Sequence, residues 1–375
     1  MNFVSPPEHQ PTLQNASSAP RVRQVAARAV EIPLADPVKT SAGVVATAPL
    51  VLIDVTIDQG LIGRAYLFTY TSAALGATRH LVEAFGAALV GAPLAPWDLD
   101  RKMSGQYRLL GRTGLAAMAC AGLDMAFWDA QAKLHGQPLV RHLGASPRPI
   151  PAYASHAMDG LEPGCRRAEA ALRDGFRAIK TKIGYADLRE ERDILRALRR
   201  TVGDDVALMV DYNQALDIQE ARRRWPMLAE FRPAWIEEPL GWDDPEGHAL
   251  AKQGAPAPIQ IGENWFGWRD MRRALQLGAC DLAMPDVMKI GGVSGWLRAA
   301  NLAEQAGMPI SSHLFPEISA HLLAASPTAH WLEHLDLAGP ILQNPARPVG
   351  GHLSASDAPG TGVEWDEAAV RRFLV

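Results

Sequence analysis

The sequence has few cysteines, little excess charge and no long hydrophobic run. Cys120, Cys165 and Cys280 are its only cysteines, set far apart and without metal-type spacing. A disulfide framework is thereby excluded, and a reducing cytoplasm is the expected location. Lysine and arginine together number 37 against 41 acidic residues, a formal net charge of -4, and no basic block stands out. This balance excludes a general nucleic-acid binder. No stretch reaches the roughly 18 apolar residues a membrane span needs, so no membrane partner is expected. The first twenty residues lack both a basic start and an apolar segment, so they do not read as a signal peptide. Their Pro, Ser, Gln and Asn content predicts a disordered tail over 1–20.

What is present suits two domains. The chain has 375 residues, of which 48% are hydrophobic, enough to bury a large core. Residues 21–150 read as a mixed α+β unit. Val22 to Leu34 alternates loosely as a strand. The runs LVLIDVTI and LIGRAYLFTY flank Asp58-Gln59-Gly60, a hairpin turn signal. Residues 72–91 and 115–136 carry helical apolar spacing.

The pattern changes after about residue 150. Eight short β-prone runs now alternate with amphipathic helical stretches. They are PAYASH, AIKTKIG, ALMVDYN, AWIEEP, IQIGEN, DLAMPDV, PISSH and HWLEHL. This order predicts an α/β fold: a (β/α)8-type barrel over 151–340, in its modified (β/α)7β form, with the first unit as an α+β capping domain. No G-x-G-x-x-G follows the first run, so a dinucleotide-binding open sheet has no support. Residues 341–375, rich in Pro and Gly, read as a closing segment that packs back on the capping domain.

The chemistry lies in where the polar residues fall. Lys180, Asp211, Glu237, Glu263, Asp286, His313 and Glu333 follow one another at intervals of 20 to 31 residues, about one strand–helix unit each. Each therefore returns to one rim, where barrels of this kind hold their active sites. Asp211, Glu237 and Glu263 sit on three consecutive strands, which lie roughly 4.8 Å apart. Carboxylates so close raise each other's pKa unless a cation intervenes, and an all-oxygen set suits Mg²⁺. Strand parity pairs Glu237 with Trp235 and Glu238 with Ile236, and does not say which glutamate points inward.

Lys180 and Lys182 share a strand face, so each should depress the other's pKa and bring a lysine toward general-base strength. His313 ends a strand beside that of Asp286, which would fix its tautomer. Lys182 and His313 lie on the second and seventh strands, either side of the carboxylates. They can flank a bound substrate as opposed bases. Glu333 is expected to stay protonated and donate to a developing oxyanion. Together these groups suit removal of a proton beside a carboxylate, and two bases on opposite faces allow racemisation.

The stretches KTKIG, MVDYNQ, WIEEP, GENW, MPDVMKIGGVSGW, SSHLF and AHWLEHLDLAGP resemble the mandelate racemase group of the enolase superfamily. The resemblance runs from about residue 22 to the C-terminus. It implies Asp211, Glu237 and Glu263 as Mg²⁺ ligands, Lys182 and His313 as the S-face and R-face bases, and Asp286 as the partner of His313. It further implies that Lys180, Glu333 and Ser155 contact the substrate carboxylate, with Asn213 assisting near the metal. Val38, Ala42, Val45, Phe68, Tyr70, Leu314 and Leu335 line up with apolar pocket positions, some on a capping-domain loop, DPVKTSAGVVATAP. An apolar wall favours an aryl 2-hydroxy acid such as mandelate over a polyhydroxylated chain. Dehydration of a sugar acid at the same site is the alternative. Lys39 and Ala42 depart from the group's usual histidine and valine, and the smaller Ala42 would enlarge the pocket. A homo-oligomer, often an octamer, is also implied.

Overall fold

A computed structural model describes residues 20–375; apart from Pro20, the expected disordered tail lies outside the described residues. The capping unit begins with a meander of β1 (Val22–Thr40), β2 (Gly43–Ile57) and β3 (Ile62–Phe68), all antiparallel. The turn at 58–60 falls where the sequence places it, with Gln59 at φ 68°. Helices α1 (Leu75–Ala87), α2 (Pro96–Gln106), α3 (Gly114–Leu134) and the short α4 (Leu139–His142) follow. Buried residues run round nearly all of α3, because β3 covers one side and barrel helices cover another. The contact with β3 is very close. A Cβ on Gly63 would lie 2.1 Å from the carbonyl oxygen of Ala126, so only glycine fits there.

The segment 36–49 is not a loop. It forms the outer arm of the β1–β2 hairpin, pairing Val38 with Val45 and Thr40 with Gly43. Pro33 and Pro37 cannot donate to a ladder, and the register shifts between Pro33 and Val38. That interruption hides the strand in the sequence. Helix α2, opened by Pro96 at its first turn, also went unforeseen.

The barrel alternates strand and helix, with two helices in succession only between β9 and β10. Its first half is β4 (Ile150–His156), α5 (Leu161–Arg173), β5 (Ala178–Lys182), α6 (Leu188–Val202), β6 (Ala207–Asp211), α7 (Ile218–Ala229), β7 (Ile236–Glu237) and α8 (Pro245–Lys252). The second half is β8 (Ile259–Ile261), α9 (Trp268–Leu277), β9 (Leu282–Ala283), α10 (Val287–Ile290), α11 (Gly292–Ala306), β10 (Ile310–Ser312), α12 (Pro316–Ala324) and β11 (Ala329–His334). Neighbouring strands pair in parallel, and β11 pairs with β4 to close the ring. No α-helix directly follows β11, as the (β/α)7β form requires. Tyr153, Met209 and Trp235 help fill the barrel floor in a small apolar cluster, with the Tyr153 and Trp235 rings edge-on at 5.4 Å.

The chain then adds β12 (His352–Leu353) antiparallel to β4 and ends in α13 (Glu367–Phe373). This last stretch lies on the capping sheet. Leu374 bridges to Val30, Arg28 pairs with Glu367 at 2.6 Å, and the Trp365 indole donates to Asp54.

Candidate active site

Parallel register sets Lys182, Asp211, Glu237 and Gln260 side by side on successive strands. Glu237 points into the barrel. It is fully buried and accepts from the Trp235 indole at 3.0 Å, from the Gln260 amide at 3.1 Å and from Lys180. Parity therefore resolves in favour of Glu237, on the face of Trp235. Ligand oxygens of Asp211, Glu237 and Glu263 lie within 4.8 Å of one another. All three residues are buried, and the Oε2 of Glu263 has no hydrogen-bond partner. Burial, opposed only in part by Lys180, pushes the Glu237 carboxyl up to about 8, and Asp211 and Glu263 add to the rise. Asp211 goes the other way: burial would raise it, but Lys182 and Lys180 hold it below its usual value. Three buried carboxyl groups, one with an orphaned oxygen, fit a hard divalent cation.

The flanking groups behave differently from the sequence expectation in two respects. The Lys182 ammonium donates to Asp211 Oδ2 at 2.6 Å. Burial and Lys180 pull its pKa down, but Asp211 outweighs them and the pKa is raised rather than brought toward neutrality. Glu333 is held as a carboxylate, not a neutral acid. Burial alone would raise it, but Lys180 at 2.8 Å and then His313 keep it well below the carboxylate range. Both departures have one cause: the rim's cations and anions interleave, so no charge sits alone among its own sign.

His313 is positioned by a shared carboxylate. Asp286 Oδ1 caps α10 by accepting from Met288 N at 2.6 Å, while its Oδ2 accepts from His313 Nδ1, also at 2.6 Å. Nε2 then faces Glu263 at 3.5 Å and Glu333 at 3.8 Å. Burial lowers the imidazole pKa, but Glu263 and Asp286 carry it up to about 9. A cation shared by Glu263 would weaken that pull and bring the ring closer to the neutral form a base needs.

Above these groups lies a cavity of about 540 Å³. Lys182 and His313 border it, as do Ser155, Asn213, Glu263 and Glu333. So do all the expected pocket residues: Val38, Ala42, Val45, Phe68, Tyr70, Leu314 and Leu335. Lys180, Asp211, Glu237 and Asp286 sit behind this wall, fully buried. Asn213 braces Asp211, donating from its backbone N–H at 2.7 Å and its amide at 3.2 Å.

A polar network was not foreseen. Asn264 donates to both oxygens of Glu238, at 2.9 and 3.0 Å, and accepts from Lys289 at 2.6 Å. The Lys289 ammonium stands over the Tyr70 ring at 4.5 Å. One chain of contacts thus joins the capping unit to the segments after β9, β8 and β7. The available signal was adjacency, since Glu238 and Asn264 each directly follow an expected ligand. Backbone strain concentrates at the same mouth. Of the eight non-glycine residues with positive φ among the described residues, Tyr70, Asn213, Gln214, Glu238, Leu314 and Phe315 belong to or adjoin it.

Residues 22–144 match the mandelate racemase / muconate lactonizing enzyme N-terminal domain, and residues 165–369 match the enolase C-terminal domain-like family. An enolase from Bradyrhizobium, crystallised with magnesium and mandelic acid, superposes with a TM-score of 0.91 at 47% identity, covering 96% of this chain and 99% of that one. The L-talarate/galactarate dehydratase of Salmonella typhimurium is 29% identical over 95% of this chain and 92% of its own length. The 3,6-anhydro-alpha-L-galactonate cycloisomerase of Streptomyces coelicolor is 31% identical over 87% of this chain and 91% of its own.

Proposed function

The chain belongs to the mandelate racemase / muconate lactonizing enzyme family of the enolase superfamily, and from that premise we propose that it racemises mandelate or a related aryl 2-hydroxy acid with Mg²⁺. The observation that carries the reading is the placement of Lys182 and His313 on opposite sides of the Asp211–Glu237–Glu263 cluster, both bordering a cavity with an extensive apolar wall. Asp211, Glu237 and Glu263 would hold the cation, which supplies positive charge to stabilise the enolate that forms beside a carboxylate.

The remaining roles belong to the chain's own side chains. Ser155 and Asn213, which border the cavity, orient the substrate carboxylate, while Lys180, buried behind the wall, holds Glu333 in place. Lys182 Nζ and His313 Nε2 exchange protons with the α-carbon from its two faces, and Asp286 keeps the His313 Nδ1 proton in place. The apolar side chains of the capping hairpin and of Phe68 keep water from the carbanion. The relative with bound mandelic acid supports the aryl choice.

Dehydration of a sugar acid is the second reading. The curated relatives named above act on sugar acids. Thr40, Thr71 and Gln214 also give the cavity a polar edge. The test is incubation of each mandelate enantiomer with enzyme and Mg²⁺ in D₂O, following optical rotation and α-deuterium by NMR. Racemisation with deuterium incorporation supports the first reading. Inert mandelate alongside 2-keto product from a sugar diacid would replace it with the second.

A further inference from the structure

A second cavity, of about 580 Å³, lies between the α2–α3 region of the cap and the starts of α9 and α11. Five arginines line it: Arg101, Arg108 and Arg112 from the cap, Arg269 and Arg298 from the barrel. Its two acidic residues are already engaged. Asp100 is buried between Arg112 at 2.7 Å and Arg298 at 2.8 Å, and Asp270 accepts from Phe266 N at 2.9 Å. Arg108 and Arg269 are exposed and form no ion pair among the described residues. The Arg269 guanidinium is instead held over the Trp268 ring at 4.5 Å, which fixes its plane and leaves its edge free to donate.

The backbone adds to the same field. Helix α9 has ten residues, and Gly267 before it supplies no side-chain cap. Its first turn lines the cavity, so uncapped N–H groups and the positive end of the helix dipole border it. Lys289 lines it too, forming a wall shared with the active-site cavity. Its ammonium turns to the active-site side, donating to Asn264 Oδ1 at 2.6 Å and standing over the Tyr70 ring, so it links the two cavities rather than serving the second one. Two arginines without ion pairs, in a cavity where five arginines face two carboxylates, and a helix start without a side-chain cap together favour negative charge.

We propose that this crevice is a second anion-binding site, for a compact multivalent anion such as a phosphate ester or a polycarboxylate. Its occupant bridges cap and barrel, and it touches the segment that carries Asp286 and Lys289. Binding there should therefore steady the closed arrangement of the two units over the substrate cavity.

Calorimetry on the full-length, Mg²⁺-loaded protein tests this, with inorganic phosphate in one arm and tricarballylate in the other, at constant ionic strength. Saturable binding is expected in at least one arm, and which arm responds identifies the anion class. The double variant R108A/R269A should bind at least about tenfold more weakly, while R200A, an exposed arginine elsewhere, should match the parent protein. Unchanged Mg²⁺ affinity in the double variant would show that its fold is intact. No saturable heat in either arm, or equal binding by the parent and R108A/R269A, would overturn the proposal. Loss of self-association in R108A/R269A, with no anion binding by the parent, would also overturn it and assign these arginines to a contact between copies.

Discussion

The barrel mouth and the capping hairpin border the same cavity, yet they are held very differently. At the mouth, Lys180, Asp211 and Glu237 are wholly buried, and each touches several charged or polar partners. Across from them, Ala42 and Gly43 are exposed, and Val44 is 61% exposed. Few hydrogen bonds tie that arm to the barrel, among them Ser41 Oγ to the Tyr212 carbonyl and Met158 N to the Lys39 carbonyl. A buried, cross-braced group keeps its geometry but tolerates no change. A lightly held arm can change its side chains without disturbing the charges below. On the proposed function, the reaction belongs to the first region and the choice of substrate to the second.

Substitution at the two bases should give the largest effect. Lys182→Met and His313→Asn are each expected to lower racemisation by about a thousandfold or more. Each variant should still exchange the α-proton of one mandelate enantiomer, and the two variants should spare opposite enantiomers, as read by NMR in D₂O. Equal loss from both enantiomers would remove the distinction between the two faces.

The polar network behind the metal ligands comes next. Glu238→Gln or Lys289→Met should weaken Mg²⁺ binding by about 10- to 100-fold, measured by calorimetry, because such outer groups orient the ligands they adjoin. If Mg²⁺ affinity holds while only the melting temperature falls, the network is merely structural.

A pH series sharpens the same point. The Glu237 carboxyl is raised to about 8, so it keeps its proton through neutral pH and must lose it to bind a cation. Apparent Mg²⁺ affinity should climb as pH rises toward 8, by about tenfold per unit at most, and then level off. A flat profile between pH 6 and 8 would contradict the raised value.

The smallest effect is expected on the arm. Ala42→Val adds two methyl-sized groups beside the cavity. It should change kcat/KM for bulky against small aryl acids by only a few-fold up to about tenfold, with Mg²⁺ affinity and melting temperature unchanged. A loss of Mg²⁺ binding would mean that the arm and the mouth are not independent.

The same contrast explains what could be read from the sequence. Eight strands, and a polar residue at the end of nearly every one, were legible because one strand–helix unit repeats and returns each end to the same rim. The inward face of Glu237 was not, since two adjacent glutamates look alike until Trp235 and Gln260 are seen to grip one of them. Asn264 and Lys289 were passed over because a polar residue just beyond a strand resembles ordinary loop. The hairpin arm was taken for a loop because Pro33 and Pro37 break its alternation. Protonation was harder still. Lys182 and Glu333 were judged by their nearest like-charged or apolar surroundings, whereas the opposite charges that decide them come from other strands.

The β4–β11 seam adds a constraint on timing. Lys180 reaches past β4 to Glu333 on the last strand, and Ser155 lies on the first. During synthesis the ribosome releases these segments far apart in time, and the long loop between them must close before either meets its partner. Most of the carboxylate cluster can gather while the ring is still open, but the Lys180–Glu333 pair cannot form until it closes. Catalytic competence should therefore appear only at the end of folding, and any lesion that delays the last strand leaves a chain with its ligands assembled and no finished site.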